Sequence, residues 1–324
     1  MKIVYAGSPE ASKKTLEILY EKQKECGFEI AGVLSNPPSA KGRHKELIPT
    51  PVAAFALEHN IPCFTPEHLD SKTRNEVEAV NADLLVCFAY GHIFGPKFLG
   101  LFPCGGINLH PSLLPKYRGC TPVPAAILNG DEETGVTIQT LSLGMDEGDI
   151  LAQKIIKLNG DETCCSLLEQ SAEIGADLII SLIQNTEEGK KLPCGKKQSG
   201  EPSYTKIITK QDGKIDWNDS AVKIEAKIRA YFPDPGCWTI ENGQPLRILC
   251  SRILKEADEE SDNSFVFENE PAGKVVCYNK SEGIFIKTGK GLLCVTQLQR
   301  QGKNPMGYKD FMNGARNFVG TVLQ

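Results

Sequence analysis

The sequence lacks the patterns that mark several common classes of protein. No apolar run reaches the length of a membrane span, and no charged stretch followed by an apolar leader opens the chain. The 12 cysteines include the adjacent pair Cys164-Cys165, but none has the Cys-x-x-Cys or Cys/His spacing of a zinc site. We therefore expect a cytoplasmic protein with reduced cysteines and without a metal ion.

Glycine is scarce where a dinucleotide cofactor would need it. The first predicted strand ends in Ala6-Gly7-Ser8-Pro9, which has one glycine where the dinucleotide fingerprint has three. We therefore do not expect NAD as a cofactor. Gly7 is predicted to permit a tight turn from strand to helix, with Ser8 as the helix cap.

Positive charge is in short supply over the chain as a whole. The sequence has 36 Lys and Arg against 41 Asp and Glu, which gives a net charge of −5. From Pro271 onwards, however, eight Lys and Arg face two Asp and Glu. Because the distribution of charge matters more than its sum, the C-terminal end keeps the charge that a nucleic-acid partner requires.

The first half of the chain alternates between strand and helix patterns. The length of the whole chain, 324 residues, favours two domains, and its 40% hydrophobic and 24% charged residues are typical of a globular protein. Strands are predicted over residues 3–6, 30–34, 84–88 and 107–109, and helices over 12–24, 51–59 and 66–80. This alternation predicts an α/β fold with a Rossmann-like, doubly wound and mostly parallel sheet.

The second half of the chain has a different texture. A helix over 166–184 is predicted to close the first unit, and Glu, Gly, Lys, Pro and Ser then dominate up to residue 206. Beyond it, a short helix and short strands over 237–240, 246–254, 273–278, 283–287 and 292–298 predict a smaller C-terminal β-barrel of OB-like type. We predict a catalytic domain over 1–189, a linker over 190–206 and a barrel domain over 207–324.

The candidate catalytic residues in the sequence are Asn108, His110 and Asp146. Asn108 and His110 lie two apart at the end of a predicted strand, so their side chains point to the same face. An amide and a protonated imidazole could hold the oxyanion formed when an amine attacks an acyl carbon, which is worth about 3 kcal/mol. Asp146, from a separate loop, could favour the cationic imidazole and accept the proton that the amine loses.

Each of these residues also has a purely structural interpretation. Asn108 could cap a turn, His110 could be a hydrogen-bonded histidine at a strand end, and Asp146 could close a β-turn beside Gly148. For a single Asn, His or Asp, the structural interpretation has the better prior. The residues that surround the three therefore decide between the two interpretations.

The surrounding residues resemble the active-site signature of the 10-formyltetrahydrofolate-dependent formyltransferases. The matching segments are Asn108-Leu109-His110-Pro111-Ser112-Leu113-Leu114-Pro115-Lys116-Tyr117-Arg118-Gly119, Gly135-Val136-Thr137-Ile138 and Gly144-Met145-Asp146-Glu147-Gly148-Asp149. The resemblance implies that Asn108, His110 and Asp146 are catalytic and that 10-formyltetrahydrofolate is the formyl donor. It also implies a folate site formed by Ser112, Leu113, Leu114 and Pro115 with walls from Phe88, Ala89, Tyr90, Gly91 and Leu143.

Within that family, the chain is similar to the branch that formylates the α-amine of initiator methionyl-tRNA. Residues 35–52 resemble the basic loop with which that branch approaches the tRNA acceptor end, and the β-rich tail argues against the glycinamide ribonucleotide branch. The resemblance and the C-terminal charge imply tRNA contacts at Lys41, Arg43, Lys45, Arg300 and Lys303. We expect a monomer that binds initiator methionyl-tRNA and folate, and no membrane.

Three alternative functions use these features differently. A formyltransferase acting on an amino sugar nucleotide shares the catalytic segments but lacks a loop of the Lys41-Gly42-Arg43 type. A formyltetrahydrofolate hydrolase would direct water to the same carbonyl. A noncatalytic tRNA-binding protein would need the barrel alone, which leaves Asn108, His110 and Asp146 unexplained.

Overall fold

The computed structural model describes residues 1–41, 46–186, 192–253, 267 and 269–324. The chain divides into two compact units. The first comprises residues 1–123, 132–158 and 166–206, and the second comprises 124–131, 159–165 and 207–324. The described part of the expected linker, residues 192–206, groups with the first unit, and the domain limits given above stay a prediction.

A mixed sheet forms the centre of the first unit. The strands of this part of the chain are β1 (Lys2–Gly7), β2 (Glu29–Leu34), β3 (Ser39–Lys41), β4 (Glu46–Ile48), β5 (Cys63–Phe64), β6 (Leu84–Phe88), β7 (Gly106–His110), β8 (Glu133–Thr140) and β9 (Ile150–Lys157). Within the described residues, seven of them form one sheet in the order β5-β2-β1-β6-β7-β8-β9. The pairs from β5 to β7 are parallel, whereas β8 is antiparallel to both β7 and β9. The mostly parallel sheet is confirmed, and β8 and β9 extend it beyond the strands that were predicted.

Burial on both faces accounts for the apolar sequences of the central strands. All five residues of β6 are buried, as are all but the first of β1, which is typical of parallel strands covered on both faces. Val4, Leu85 and Phe98 belong to one buried cluster. At Gly7, where β1 ends, a Cβ would overlap Oγ of Ser12, so the turn into the first helix requires glycine.

The helices in this part of the chain are α1 (Glu10–Lys22), α2 (Pro51–Glu58), α3 (Ser71–Glu78), α4 (Pro96–Leu99), α5 (Pro122–Leu128) and α6 (Cys164–Gln184). Pro51 starts α2 as predicted, whereas α3 begins at Ser71 and not at Pro66. The side chain of Asp70 accepts the main-chain N–H of Thr73 at 2.9 Å and so caps α3 at that point. Within the described ranges, no helix combines the length and the apolar character needed to cross a membrane.

Ser8 does not cap the first helix, contrary to the prediction. The residue at the cap of α1 is Pro9, which makes no side-chain hydrogen bond there. Oγ of Ser8 instead accepts the main-chain N–H of Asn36 at 3.2 Å and lies 3.4 Å from Oγ of Ser35. The hydroxyl therefore ties the end of β1 to the residues that follow β2.

Strands β3 and β4 form a short antiparallel hairpin in the segment expected to be a basic loop. Lys41 pairs with Glu46 in its register. Arg43 and Lys45 lie outside the described residues, and so does the side chain of Lys41. The tRNA contacts expected of these three residues stay a prediction.

The second unit is built on an antiparallel sheet. Its elements are a 3-10 helix (Lys210–Gly213), α7 (Ala221–Ala230), β10 (Cys237–Glu241), β11 (Gln244–Ile253), β12 (Val275–Asn279), β13 (Gly283–Lys287), β14 (Leu292–Arg300), β15 (Met306–Gly307) and α8 (Tyr308–Asn313). Among the described residues, the strand order is β10-β11-β14-β13-β12, with β15 paired to β14.

Residues near the C-terminal end of the sequence close this sheet into a barrel. Gln324 exchanges two main-chain hydrogen bonds with Ile240 of β10, at 2.8 and 3.1 Å. On its other side, the N–H of Val275 in β12 donates to the main-chain oxygen of Thr321 at 2.8 Å. The segment therefore joins the two ends of the sheet, and the expected C-terminal barrel is confirmed.

Candidate active site

Strand β7 presents Asn108 and His110 at its carboxyl end. The two residues alternate with the buried Leu109 and therefore face the same side of the sheet. The register places Gln139 of β8 opposite Asn108, and Thr137 opposite His110. His110 is 4% exposed, whereas Asn108 is half-buried, so the amide is the more accessible of the two groups.

Asp146 reaches both residues from the loop between β8 and β9. Its Oδ1 lies 3.4 Å from Nδ2 of Asn108 and 3.6 Å from Nδ1 of His110. The same oxygen accepts a side-chain N–H of Gln139 at 2.8 Å, and Oδ2 accepts the main-chain N–H of Gly119 at 2.8 Å. The structure thus brings together the three side chains that the sequence analysis singled out.

The backbone of the Asp146 loop is unusual in two places. Asp146 has a φ of 53°, in the left-handed region that residues with a Cβ rarely adopt. Gly148 packs so closely on β8 that a Cβ would overlap the main-chain oxygen of Thr140. Its N–H donates to Oε1 of Gln139 at 3.2 Å. Gln139 therefore holds both the side chain of Asp146 and the turn that follows it.

His110 faces an acceptor on each side of its ring. Nε2 lies 2.9 Å from the main-chain oxygen of Tyr117, and Nδ1 faces Asp146. Since a carbonyl oxygen only accepts, Nε2 carries the hydrogen and donates it to Tyr117. Burial lowers the pKa of His110, although the charge of Asp146 and the bond to Tyr117 act in the opposite direction. Burial therefore favours the neutral ring, with Nδ1 able to take up a proton.

The groups around Asp146 are hydrogen-bond donors to its carboxylate and not ligands of a metal ion. Asn108, Gln139 and Gly119 all direct N–H groups at its oxygens, and N–H groups cannot ligate a cation. Within the described ranges, no group of three or more His, Cys, Asp or Glu residues could hold a metal ion. The carboxylate is thus arranged for hydrogen bonding and proton transfer.

Comparison with known proteins assigns this chain to a family. The family model described as formyl transferase matches residues 1–183, and the model described as formyl transferase, C-terminal domain, matches residues 207–316. The chain belongs to the formyl transferase family. A relative named methionyl-tRNA formyltransferase, from Treponema denticola, is 41% identical over 327 residues, which cover 98% of each protein.

Solved structures share the fold of this formyl transferase. HypX from Aquifex aeolicus, in complex with tetrahydrofolic acid, matches with a TM-score of 0.68 at 16% identity, over 98% of this chain and 48% of HypX. This chain therefore spans about half of that protein. Methionyl-tRNA formyltransferase from Clostridium thermocellum matches with a TM-score of 0.57 at 18% identity, over 79% of this chain and 94% of that protein. At these identities the likeness concerns the fold alone.

The segment of this formyl transferase expected to line the folate site is firmly held. Ser112 and Leu114 are buried, whereas Leu113 and Pro115 are half-buried. Oγ of Ser112 donates to the main-chain oxygen of Lys116 at 2.6 Å. Ser112 therefore shapes the segment from within, and the half-buried members are the ones that remain accessible to a ligand.

The residues expected to wall the pterin pocket also divide into two groups. Phe88 and Tyr90 are buried, and the exposed members are Ala89, Gly91 and Leu143. Among the described residues, the buried hydroxyl of Tyr90 has no hydrogen-bond partner. Leu143 is 65% exposed. Leu143 is therefore accessible to a ligand, whereas the hydroxyl of Tyr90 is enclosed by protein.

The second unit contains two of the residues expected to contact tRNA. Lys303 is exposed in the turn after β14. The guanidinium of Arg300 instead donates two hydrogen bonds to the carboxylate of Glu241, at 2.9 and 2.7 Å, and lies over the ring of Phe311. Arg300 is therefore tied to the barrel, and its contact with phosphate stays a prediction.

Sequence reasoning assigned no role to three polar residues of the site, namely Gln139, Arg118 and Gln198. Gln139 carries one signal, because it directly follows the matching segment Gly135-Val136-Thr137-Ile138 and a buried glutamine is unusual. Gln198 carries no signal, because the composition around it indicates a linker. Its side chain nevertheless contacts both Arg118 and the Asp146 loop.

Proposed function

We propose that this protein transfers the formyl group of 10-formyltetrahydrofolate to the α-amine of initiator methionyl-tRNA. The observation that carries the proposal is the meeting of Asn108, His110 and Asp146 in a member of the formyl transferase family. Relatives named methionyl-tRNA formyltransferase that match nearly the whole chain support this acceptor. The folate supplies the formyl carbon and leaves as tetrahydrofolate, with the exposed Leu143 among the residues that would hold its ring.

Asn108 is assigned to the oxyanion that forms when the amine attacks the formyl carbon. One hydrogen of its side-chain amide points to Asp146 at 3.4 Å. Among the described residues, the other hydrogen has no partner, so it is available to a ligand. A donor that is already oriented toward the developing charge lowers the barrier by about 3 kcal/mol.

His110 and Asp146 are assigned to the proton that the amine loses. The neutral ring of His110 can accept this proton on Nδ1, beside the carboxylate of Asp146. The positive charge of the imidazolium formed in this way stabilises the negative charge of the oxyanion. Because Tyr117 occupies the N–H on Nε2, His110 acts on the oxyanion through this charge and not through a free N–H.

The reaction balances without an acyl-enzyme. A bond forms between the amine nitrogen and the formyl carbon, and the bond from that carbon to the folate nitrogen breaks. The proton held by His110 and Asp146 passes to the departing folate nitrogen, which restores both residues. The α-amine has an ordinary pKa of about 7.7 to 8, so a useful fraction is neutral at the start.

The barrel and the basic loop are assigned to tRNA. The excess of Lys and Arg after Pro271 supports binding of phosphates by the barrel, and the loop that contains Arg43 is assigned to the acceptor end. A cytoplasmic location and a monomeric state complete the proposal.

One assay tests this function against its alternatives. The purified protein is incubated with 10-formyltetrahydrofolate and, in parallel, with charged initiator tRNA, an amino sugar nucleotide or no acceptor, and tetrahydrofolate release is measured. We expect release to depend on the charged tRNA and to match the formyl-methionine formed. Release with the amino sugar nucleotide, or with water alone, would replace the proposal by the corresponding alternative, and no release under any condition would leave only tRNA binding.

A further inference from the structure

Gln198 joins the two segments that hold His110 and Asp146, which are called the catalytic pair below. Its Nε2 donates to the main-chain oxygens of Asp146 and Gly148, both at 2.8 Å. Its Oε1 accepts from the guanidinium of Arg118, from Nη2 at 2.7 Å and from Nε at 3.1 Å. The half-buried side chain therefore uses both of its N–H groups and its oxygen in bonds to the site.

The partners of Gln198 fix the orientation of its amide. A guanidinium can only donate, so the amide oxygen must face Arg118. The main-chain oxygens of Asp146 and Gly148 can only accept, so the amide nitrogen must face the loop. A carboxylate at this position would keep the first interaction and lose the second, because its other oxygen would face two carbonyl oxygens.

Arg118 lies between the two residues that contact the catalytic pair through their main chains. Tyr117 accepts the N–H on Nε2 of His110 at 2.9 Å, and the N–H of Gly119 donates to Oδ2 of Asp146 at 2.8 Å. The bridging glutamine thus connects the segment on the histidine side with the loop on the aspartate side. A displacement of either segment would change the distance between the two catalytic side chains.

The loop that carries Asp146 depends on such external bonds. Asp146 has a φ of 53°, which is unfavourable for a residue with a Cβ and persists only where surrounding contacts impose it. The bonds from Gln198 are made to the main chain on both sides of the loop's turn. They therefore hold the backbone itself and leave the carboxylate to the groups of the active site.

We propose that Gln198 is a positioning residue for formyl transfer, which holds the Asp146 loop at its distance from His110 by anchoring it to Arg118. The inference rests on the proposed function. Gln198 makes its hydrogen bonds to Arg118, Asp146 and Gly148, so its effect on the reaction is exerted through Asp146.

Two replacements of Gln198 in the full chain separate positioning from packing. Gln198→Met keeps the size of the side chain and removes its hydrogen bonds, and Gln198→Glu keeps the pairing with Arg118 alone. We expect both to lower kcat on the order of 100-fold, because small misplacements of catalytic groups have effects of this size. KM for folate and for tRNA should stay near the wild-type values.

Gln23→Met is the matched control. Gln23 is also half-buried, and its amide bonds the main-chain oxygen of Tyr20 at 3.0 Å and the main-chain N–H of Ile30 at 3.1 Å. It lies at the carboxyl end of α1 and bonds β2 near the amino end of that strand, which in a parallel sheet is the edge opposite to the carboxyl end that presents His110. We expect Gln23→Met to keep the wild-type kcat while its thermal unfolding shifts about as much as that of Gln198→Met.

The pKa of His110, followed by NMR of its ring, gives a readout that does not require turnover. The carboxylate of Asp146 faces the ring at 3.6 Å, and Arg118 and Glu147, which adjoin Tyr117 and Asp146 in the sequence, pair with each other at 3.4 Å. Because the charge of Asp146 raises the pKa of His110 against the effect of burial, Gln198→Met should lower that pKa further.

The outcomes are distinguishable. A wild-type kcat in Gln198→Glu, a loss in Gln198→Met no larger than the loss of folded protein, or an unchanged titration of His110 would each overturn the positioning role. A wild-type protein that transfers no formyl group, but whose His110 titration still responds to Gln198→Met, would refute the proposed function and retain the structural link.

Discussion

The side-chain amide of Gln139 donates to Oδ1 of Asp146 at 2.8 Å, which is shorter than the contact from Asn108 to the same oxygen. Gln139 is 2% exposed and lies opposite Asn108 on the neighbouring strand. Its own oxygen accepts the N–H of Gly148 at 3.2 Å. A buried strand residue therefore directs a loop carboxylate toward β7.

Gln139→Leu should lower both stability and turnover. The replacement removes the partner of the N–H of Gly148 and the shortest hydrogen bond to Oδ1 of Asp146, which costs about 1–3 kcal/mol in the free energy of unfolding. It also releases the carboxylate from β8, so kcat should fall while KM for folate changes little. Urea unfolding and steady-state kinetics measure the two effects.

Gln153→Leu provides the contrast for that prediction. Its Nε2 donates to the main-chain oxygen of Leu114 at 3.2 Å and to Oγ1 of Thr137 at 2.8 Å, so it holds the expected folate segment. We expect this variant to raise KM for folate more than it lowers kcat. The same change of the same parameter in both glutamine variants would contradict the separate roles assigned to them.

Gly148→Ala should disable the site, whereas Gly144→Ala should be tolerated. A Cβ at Gly148 would overlap the main-chain oxygen of Thr140, which cannot move without distorting β8. A Cβ at Gly144 would meet the carboxylate end of Glu147, a half-exposed side chain that can turn away. We expect Gly148→Ala to lose most activity and some stability, as measured by kcat and thermal unfolding. Equal activities of the two alanine variants would show that close packing at Gly148 is unimportant.

The predicted part of the fold is the part with local signals. Strands β1, β2 and β6 are nearly continuous apolar runs, which indicate buried parallel strands. Strands β8 and β9 were missed because polar residues such as Thr137, Gln139 and Gln153 interrupt them. Barrel closure by Gln324 and Ile240 could not be predicted, because it joins residues that are far apart in the sequence.

The candidate site, like the fold, could be predicted only where the sequence carries a local signal. Asn108 and His110 could be placed on one face from the two-residue period of a strand alone. Their meeting with Asp146 was expected only from the chemistry and from the resemblance to a family. Gln198 is 52 residues from Asp146 and lies in a segment of linker composition, so its contact arises entirely from the fold.

His110 should make the protein less stable as the pH falls. Burial lowers its pKa in the folded state, so the unfolded chain, with an ordinary pKa of about 6.5, binds the proton more readily. The contribution of the neutral ring to stability is fully present above pH 6.5 and is lost as the pH falls from there toward the folded pKa. Urea unfolding of the wild type and of His110→Gln over this range should give curves that converge at lower pH. Parallel curves would contradict the prediction.

The two cations of the barrel that were expected to contact tRNA should respond differently to replacement. Lys303 is exposed, so Lys303→Ala should weaken tRNA use, reduce the slope of log KM against log salt by about one and leave stability unchanged. Arg300 bonds the carboxylate of Glu241, which is 9% exposed. Arg300→Ala should therefore lower the free energy of unfolding by about 1–3 kcal/mol.

Glu241→Gln combined with Arg300→Ala separates the structural role of Arg300 from a contact with phosphate. The double variant should recover part of the lost stability, because no unpaired carboxylate remains in the barrel. If Arg300 also contacts tRNA, KM for tRNA will stay raised in the double variant even though its unfolding approaches that of the wild type. If the pair with Glu241 is its only role, KM and stability will recover together. A wild-type salt slope in Lys303→Ala would remove Lys303 from the phosphate contacts, whichever of these results is found.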